Sequence, residues 1–326
     1  MSERDVELVS FATREDWLAQ RTTGIGASES AALFGLSRWD SELSLWTKKR
    51  GIVGLDAGES ERLEIGLAIE PTIAALYQRR TERTLWSPPT PWTIARHPRL
   101  PFMTASVDRW IIEAPGRAGR GVLEMKNVDT FMADEWEDGP PLSYTIQFQH
   151  QLAVTGFAWG SVAGLIGGNR FRSFDLERDD AFIAELEAKC GDFWGRVQGG
   201  HMPSPDGSEA SARALKLLHP KDDGTGVHLP DEAVAWWDEL ARIRKESSAN
   251  AKREKELKNF LSGAIGAATF GALPDGRLIS YKHQDRDGYT VEPTTFRTLK
   301  EEKKVKTSDK TIQELIDNSS LGKGAA

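Results

Sequence analysis

The sequence predicts an α/β (α+β) fold in which a mixed β-sheet is flanked by helices, followed by a C-terminal extension. Three observations predict it. Residues 10–200 read in the order helix, strand, strand, helix, strand, strand, helix. The 326 residues are 28% charged and 39% hydrophobic. That balance leaves room for a real core, and the length suggests about two domains. The run His201-Met-Pro-Ser-Pro-Asp-Gly-Ser then breaks the pattern, so the expected domains are 1–205 and 206–326.

Composition also excludes classes. No apolar run approaches the ~20 residues that cross a bilayer, so no membrane partner is expected. The start, Met-Ser-Glu-Arg-Asp-Val-Glu-Leu, lacks the charged-then-apolar layout of a secretion signal, and a cytoplasmic location is expected. A single cysteine, Cys190, excludes an internal disulfide and an all-cysteine zinc or iron–sulfur site. The net charge of -7 gives no overall pull toward nucleic acid, so such a partner needs local basic patches helped by a metal.

Phe11, Trp17 and Leu18 have helical spacing. The turn Arg21-Thr-Thr-Gly-Ile-Gly-Ala-Ser28 follows, with Ser28 as N-cap of a helix from Glu29 to about Phe34. A helix N-terminus beside an arginine can take a phosphate. A second helix starts near Ser41 and ends in the basic turn Lys48-Lys-Arg-Gly51. Residues 59–79 form the clearest helix, with Leu63, Leu67, Ile69, Ile73, Leu76 and Tyr77 on its apolar side. Pro71 is expected to end or kink it near Glu70, whose carboxylate faces inward. Residues 84–97 look strand-like between prolines.

The stretch Met103–Lys126 carries the chemistry. A short apolar run reaches Asp108 and continues through Trp110-Ile-Ile. The Gly- and Pro-containing segment 113–120 reads as a hairpin connection, and Val122-Leu-Glu-Met-Lys126 returns. Side chains alternate along a strand, so Glu124 and Lys126 share one face while Leu123 and Met125 share the other. Paired in register, the hairpin brings Asp108, Glu124 and Lys126 together at one end. Taken alone, a Glu-x-Lys pair on a strand is a common solvated ion pair. Two carboxylates at a shared point also suit a hard divalent ion such as Mg2+.

Tyr144–Thr155 reads as a helix with Gln147 and Gln151 on one face. His150 has no second ligand at metal spacing and is read as structural or surface. Residues 161–168 and 171–176 make a strand pair, and Asp179–Val197 an amphipathic helix. Residues 231–261 form a long, partly basic helix and 268–282 a Pro-Asp-Gly hairpin. The tail from Asp309 is expected to be loose.

Taken together, Arg21 with Gly-Ile-Gly-Ala-Ser28-Glu, Gly66-x3-Glu70-Pro, Ser106-Val-Asp108, Leu-Glu124-Met-Lys126 and Tyr144-x2-Gln147-x-Gln resemble the phage-type alkaline exonucleases. These are the lambda exonuclease-like (YqaJ viral recombinase) branch of the PD-(D/E)XK nuclease fold. The resemblance covers about residues 10–205. It implies a restriction endonuclease-like core and a Mg2+-dependent exonuclease, with Mn2+ able to substitute. Its activity would be 5'-to-3' digestion of one strand of linear double-stranded DNA, leaving 3' overhangs for recombination. Asp108, Glu124, Glu70 and the Met125 carbonyl are then metal ligands, Lys126 the catalytic lysine, and Gln147 the glutamine of the helix motif. Arg21 and Ser28 fall where the family grips the 5'-phosphate. Implied partners are DNA ends, a single-strand annealing recombinase and further copies in a ring, in a phage or prophage setting. Val107, where the family usually has proline, is the departure.

Alternatives from other classes are a structure-specific or restriction-like endonuclease and a non-catalytic DNA-binding or assembly module built on the long helix. A glycosidase cleft drawn from the 11 tryptophans has no place for Lys126 beside Glu124.

Overall fold

The computed structural model describes residues 6–54, 61–106, 108–285, 288 and 297, without the side chains of Arg62 and Leu63. Val107, the Leu63 side chain, the first five residues and the tail from Asp309 therefore lie outside the described residues. By internal contact the chain divides into residues 1–220 and 221–326.

The first unit opens with β1 (Leu8–Ser10), α1 (Arg14–Arg21), β2 (Ile25–Gly26), a 3-10 turn (Ala27–Glu29), α2 (Ser30–Leu33) and α3 (Glu42–Lys49). It continues through α4 (Glu61–Thr81), β3 (Thr84–Trp86), β4 (Thr93–Arg96), β5 (Met103–Ala105), β6 (Arg109–Glu113) and β7 (Gly121–Val128). A 3-10 stretch (Thr130–Trp136), α5 (Leu142–Thr155), β8 (Trp159–Ile166), β9 (Arg170–Glu177), α6 (Asp180–Gly199) and α7 (Glu209–Leu218) complete it. The expected mixed α/β architecture is present. A five-stranded sheet runs β3-β6-β7-β8-β9, and a smaller one runs β1-β4-β5-β2. Within the larger sheet β7 and β8 are parallel and the remaining pairs antiparallel.

The strand-like segment 84–97 resolves into two short strands that enter different sheets, because Pro88, Pro89 and Pro91 interrupt it. β8 is buried at all eight positions, as a strand covered on both faces must be. One face packs α4 through Ile73, Ala74 and Tyr77 against Ile111, Leu123, Met125 and Trp159. Each fully buried aliphatic side chain of this kind contributes about 1.5–3 kcal/mol. Val122 and Val128 belong to the core of the other face, with Ile146, Phe148 and Leu152 of α5 and Ile183, Leu186 and Phe193 of α6. The β8–β9 turn passes through Gly167 and Gly168 at positive φ, where glycine is free of strain. A Cβ on Gly167 would also stand 2.3 Å from Thr130 Oγ1.

The alternatives open at Pro71 narrow, and the expectation at Ser28 needs correction. α4 runs through Pro71, as the predicted 59–79 helix does, so of the two effects expected at Pro71 an end near Glu70 does not occur. Proline removes one helical donor, and packing of the following turns against the sheet holds the helix together regardless. Ser28 is not an N-cap. It lies exposed within the 3-10 turn, and the Gly26 N–H at the turn's start is held by the Glu29 carboxylate at 2.7 Å.

Beyond the composition break at His201, the first unit continues to Pro220. α7 buries Ala210, Ser211 and Ala214, and Ser211 donates to Ser41 Oγ at 2.9 Å. The second unit has α8 (Ala233–Ile265) and a hairpin of β10 (Phe270–Ala272) with β11 (Leu278–Ser280). No residue of α8 is buried. Ion pairs along its turns, such as Arg242–Glu246 at 2.7 Å, support it.

Candidate active site

β6 and β7 pair with Arg109 opposite Leu123. One residue further in that register sets Asp108 opposite Glu124, so the two carboxylates meet where β6 begins. Asp108 Oδ2 accepts the Met125 N–H at 2.7 Å, which ties the start of β6 to β7 through a side chain. Arg109 donates back to the Asp108 carbonyl at 2.5 Å.

Glu124 is only 2% exposed. A buried charge needs partners, and its neighbours supply them. Gln147 Nε2 donates to Oε1 at 2.7 Å and Gln151 Nε2 to Oε2 at 2.5 Å. Lys126 forms a direct ion pair with Glu124 and also donates to Gln147 Oε1 at 3.1 Å. The Lys126 ammonium stands 4.9 Å from the centre of the Tyr144 ring. Period-2 alternation on β7 puts Glu124 and Lys126 on the α5 side of the sheet. The four-residue spacing on α5 turns both glutamines toward them.

The electrostatics describe an acidic cluster short of positive charge. Burial, then the neighbouring Glu124 and Glu70 carboxylates, push the Asp108 carboxyl well above its ordinary value. Burial raises Glu70 as well; Arg109 opposes the shift and Glu124 adds to it. Burial pulls the Lys126 ammonium down, but Glu124 and Asp108 outweigh it and hold it above the ordinary lysine value. Lys126 therefore stays charged at neutral pH.

The sequence-predicted residues fall in two groups. Asp108, Glu124, Lys126 and Gln147 are joined through direct contacts on β7 and α5, and Glu70 reaches the same cluster through its charge. Arg21 lies apart, its guanidinium 5.1 Å over the Trp17 ring and 2.8 Å from Glu29 Oε1. Ser28 is exposed. Ser106 bridges the groups, since its carbonyl accepts from Gln151 at 3.3 Å and its hydroxyl from Trp17 Nε1 at 3.3 Å.

Sequence reasoning left Gln151 out of the site, although its same-face spacing with Gln147 was the available signal. It also missed Glu29 and Lys49. Glu29 binds the Arg21 guanidinium, and Lys49 binds both Glu29 and the Arg21 carbonyl, contacts that no local pattern marks. His150 is buried and pairs with Ser30 Oγ at 2.6 Å, so of its two readings the structural one holds.

Among the described residues no group of three or more His, Cys, Asp and Glu side chains stands in metal-holding geometry. The donor set nonetheless suits a hard divalent ion. Asp108, Glu124, Glu70 and the Met125 carbonyl offer only oxygen, and the carboxylates of part-buried Asp108 and buried Glu124 meet where β6 begins.

Residues 16–158 match the YqaJ-like viral recombinase domain. The protein YqaJ of Bacillus subtilis (strain 168) is 31% identical over 269 residues, covering 81% of this chain and 82% of that one. The chain belongs to the YqaJ-like viral recombinase family. Among solved structures, an alkaline exonuclease from Laribacter hongkongensis is 22% identical with a TM-score of 0.48, across 63% of this chain and 100% of that one. A phage-related exonuclease from Haemophilus somnus 129PT is 12% identical with a TM-score of 0.36, across 59% and 89%. Every candidate site residue, from Arg21 to Gln151, lies between residues 16 and 158, so the family match spans the whole candidate site.

Proposed function

We propose that this YqaJ-family chain is a metal-dependent deoxyribonuclease that digests one strand of linear double-stranded DNA from the 5' end. The observation that carries this reading is the contact set around Glu124. A buried carboxylate, a charged lysine and a glutamine that touches both are arranged beside Asp108.

Each residue has a task in phosphodiester hydrolysis. Asp108, Glu124, Glu70 and the Met125 carbonyl would hold Mg2+, with Mn2+ as a substitute. The bound ion would supply positive charge to the phosphoryl oxygens and the leaving 3'-oxygen. Lys126 keeps its proton and donates to the attacking water or to a phosphate oxygen. Gln147 fixes the Lys126 and Glu124 side chains relative to each other, and Gln151 holds the second oxygen of Glu124. Such preorganised donors cost no rearrangement as charge develops. Arg21, tied to the same cluster through Trp17, Ser106 and Gln151, would grip the terminal 5'-phosphate. Ser28, on the 3-10 turn that follows, would be a second phosphate contact.

Backbone contacts of this kind carry no sequence information, so any duplex end is a substrate. The product is a 3' single strand, which an annealing recombinase would take up in phage-type recombination. A ring of copies around DNA and a phage or prophage setting in the bacterial cytoplasm complete the reading. Residues 221–326, the second unit, are proposed as an extension outside the nuclease core, while α7 belongs to the first unit.

End-labelled linear duplex incubated with Mg2+ or EDTA tests the proposal. Wild type should release nucleotides only with Mg2+, while Asp108→Ala and Lys126→Ala lose hydrolysis with folding intact. Activity surviving in Asp108→Ala would overturn the assignment, and cutting of a covalently closed circle would replace the exonuclease by an endonuclease.

A further inference from the structure

A second buried ion pair of the first unit lies outside the carboxylate cluster. Glu29 is 6% exposed and the Lys49 side chain 0%. Glu29 Oε1 accepts from Arg21 at 2.8 Å, while Oε2 accepts from Lys49 Nζ and from the Gly26 N–H, each at 2.7 Å. Lys49 Nζ also donates to the Arg21 main-chain carbonyl at 2.6 Å. Lys49 thus reaches Arg21 twice, once at its backbone and once through Glu29.

Burying such a pair is a poor route to stability, because apolar side chains of similar volume fill a core at less desolvation cost. What apolar side chains cannot supply is charge. Arg21 and Glu29 alone form a neutral pair with nothing to offer an anion. With Lys49 protonated the group carries one net positive charge; burial pulls the Lys49 ammonium below its ordinary value, and the contact with Glu29 opposes that pull. Arg21 is the member that reaches solvent, at 27% side-chain exposure against 5% for Glu29 and 0% for Lys49. Burial pushes the Glu29 carboxyl up, but Lys49 and Arg21 outweigh it and hold it at about 2, so it is charged at every working pH.

We infer that Lys49 cancels the charge of Glu29 and so frees the cationic charge of Arg21 for a terminal phosphate, acting as a positioning and charge-balancing residue that never touches DNA. The inference rests on the reading of Arg21 as the phosphate grip. Glu29 in this scheme orients the guanidinium over Trp17, and Lys49 keeps that orientation from neutralising the site.

The test is equilibrium binding of the full chain, in EDTA, to linear duplex carrying either a 5'-phosphate or a 5'-hydroxyl. The readout is the ratio of the two dissociation constants, taken under conditions where circular dichroism shows every variant folded. Wild type should prefer the phosphorylated end by about ten- to a hundredfold, the worth of one charge-assisted hydrogen bond. Arg21→Ala and Lys49→Met should each bring the ratio close to one. The double variant Glu29→Gln/Lys49→Met restores the net charge without the lysine and should recover most of the preference. A general structural defect would instead weaken both ends equally and leave the ratio in place. If Arg21→Ala abolishes the preference while Lys49→Met keeps it, or the double variant stays at the Lys49→Met level, the role of Lys49 is overturned and the grip survives. If Arg21→Ala leaves the preference intact, the grip itself falls and the inference with it.

Discussion

Replacing His150 by glutamine should flatten the acid limb of this protein's stability curve. His150 sits on α5 between Gln149 and Gln151, wholly buried, with Nδ1 on Ser30 Oγ at 2.6 Å. Burial, and next the neighbouring His97, push its imidazole down to about 3. In the unfolded chain the same group titrates at about 6.5. Between those values the unfolded state binds the proton and the folded state does not, so stability is full above the unfolded value and is lost as pH falls. Integrating the two titrations from about pH 7 to pH 5 gives a loss of about 2 kcal/mol from this one side chain. His97 is lowered by burial too and acts in the same direction, but it is common to both proteins. Glu29, held at about 2, contributes stability that is present above its unfolded value and disappears only as pH falls toward that figure, largely below the interval. Urea unfolding in EDTA at about pH 7 and pH 5 reads the effect. Wild type should lose about 2 kcal/mol more than His150→Gln over that interval. Equal losses in the two proteins would refute the reasoning.

Gln151→Leu removes a donor from a buried carboxylate oxygen. The cost should be about 1–3 kcal/mol, visible in thermal unfolding alongside reduced nuclease activity in Mg2+. Asp108→Asn should stabilise the metal-free protein at neutral pH. Its carboxyl is raised in the folded state, so ionisation favours unfolding as pH climbs past the unfolded value, and asparagine cannot ionise. The same variant should lose the Mg2+-dependent rise in Tm expected of wild type, which a thermal-shift titration with and without EDTA measures. Gly160→Ala would place a Cβ 2.1 Å from the Val122 carbonyl oxygen, between the two parallel central strands. Urea titration should show a loss of about 1–3 kcal/mol or more.

Much of the candidate site was legible in the primary structure because strand and helix periodicities are local. Alternation alone sends Glu124 and Lys126 to one side of β7, and a spacing of four sends Gln147 and Gln151 to one side of α5. The hairpin between Glu113 and Gly121 then sets Asp108 opposite Glu124 with no long-range information. Other features lay beyond that reach. Proline at position 71 argued for an end or a kink, and packing of the following turns against the sheet carries α4 past it. Ser28 had the chemistry of an N-cap, yet the helical backbone starts one residue earlier, at Ala27, in a 3-10 turn that contains it, and Gly26 stands at the start.

The amino-acid order by itself determined which side chains share a face, since that follows from backbone geometry over a few residues. Which faces meet was decided by the tertiary structure alone: Lys49 on Glu29, Trp17 on Ser106, Gln151 on Glu124. These partners lie 20 to 89 residues apart. The Lys49–Glu29 and Gln151–Glu124 contacts are buried, and there each charge needs its protein partner because water no longer reaches it.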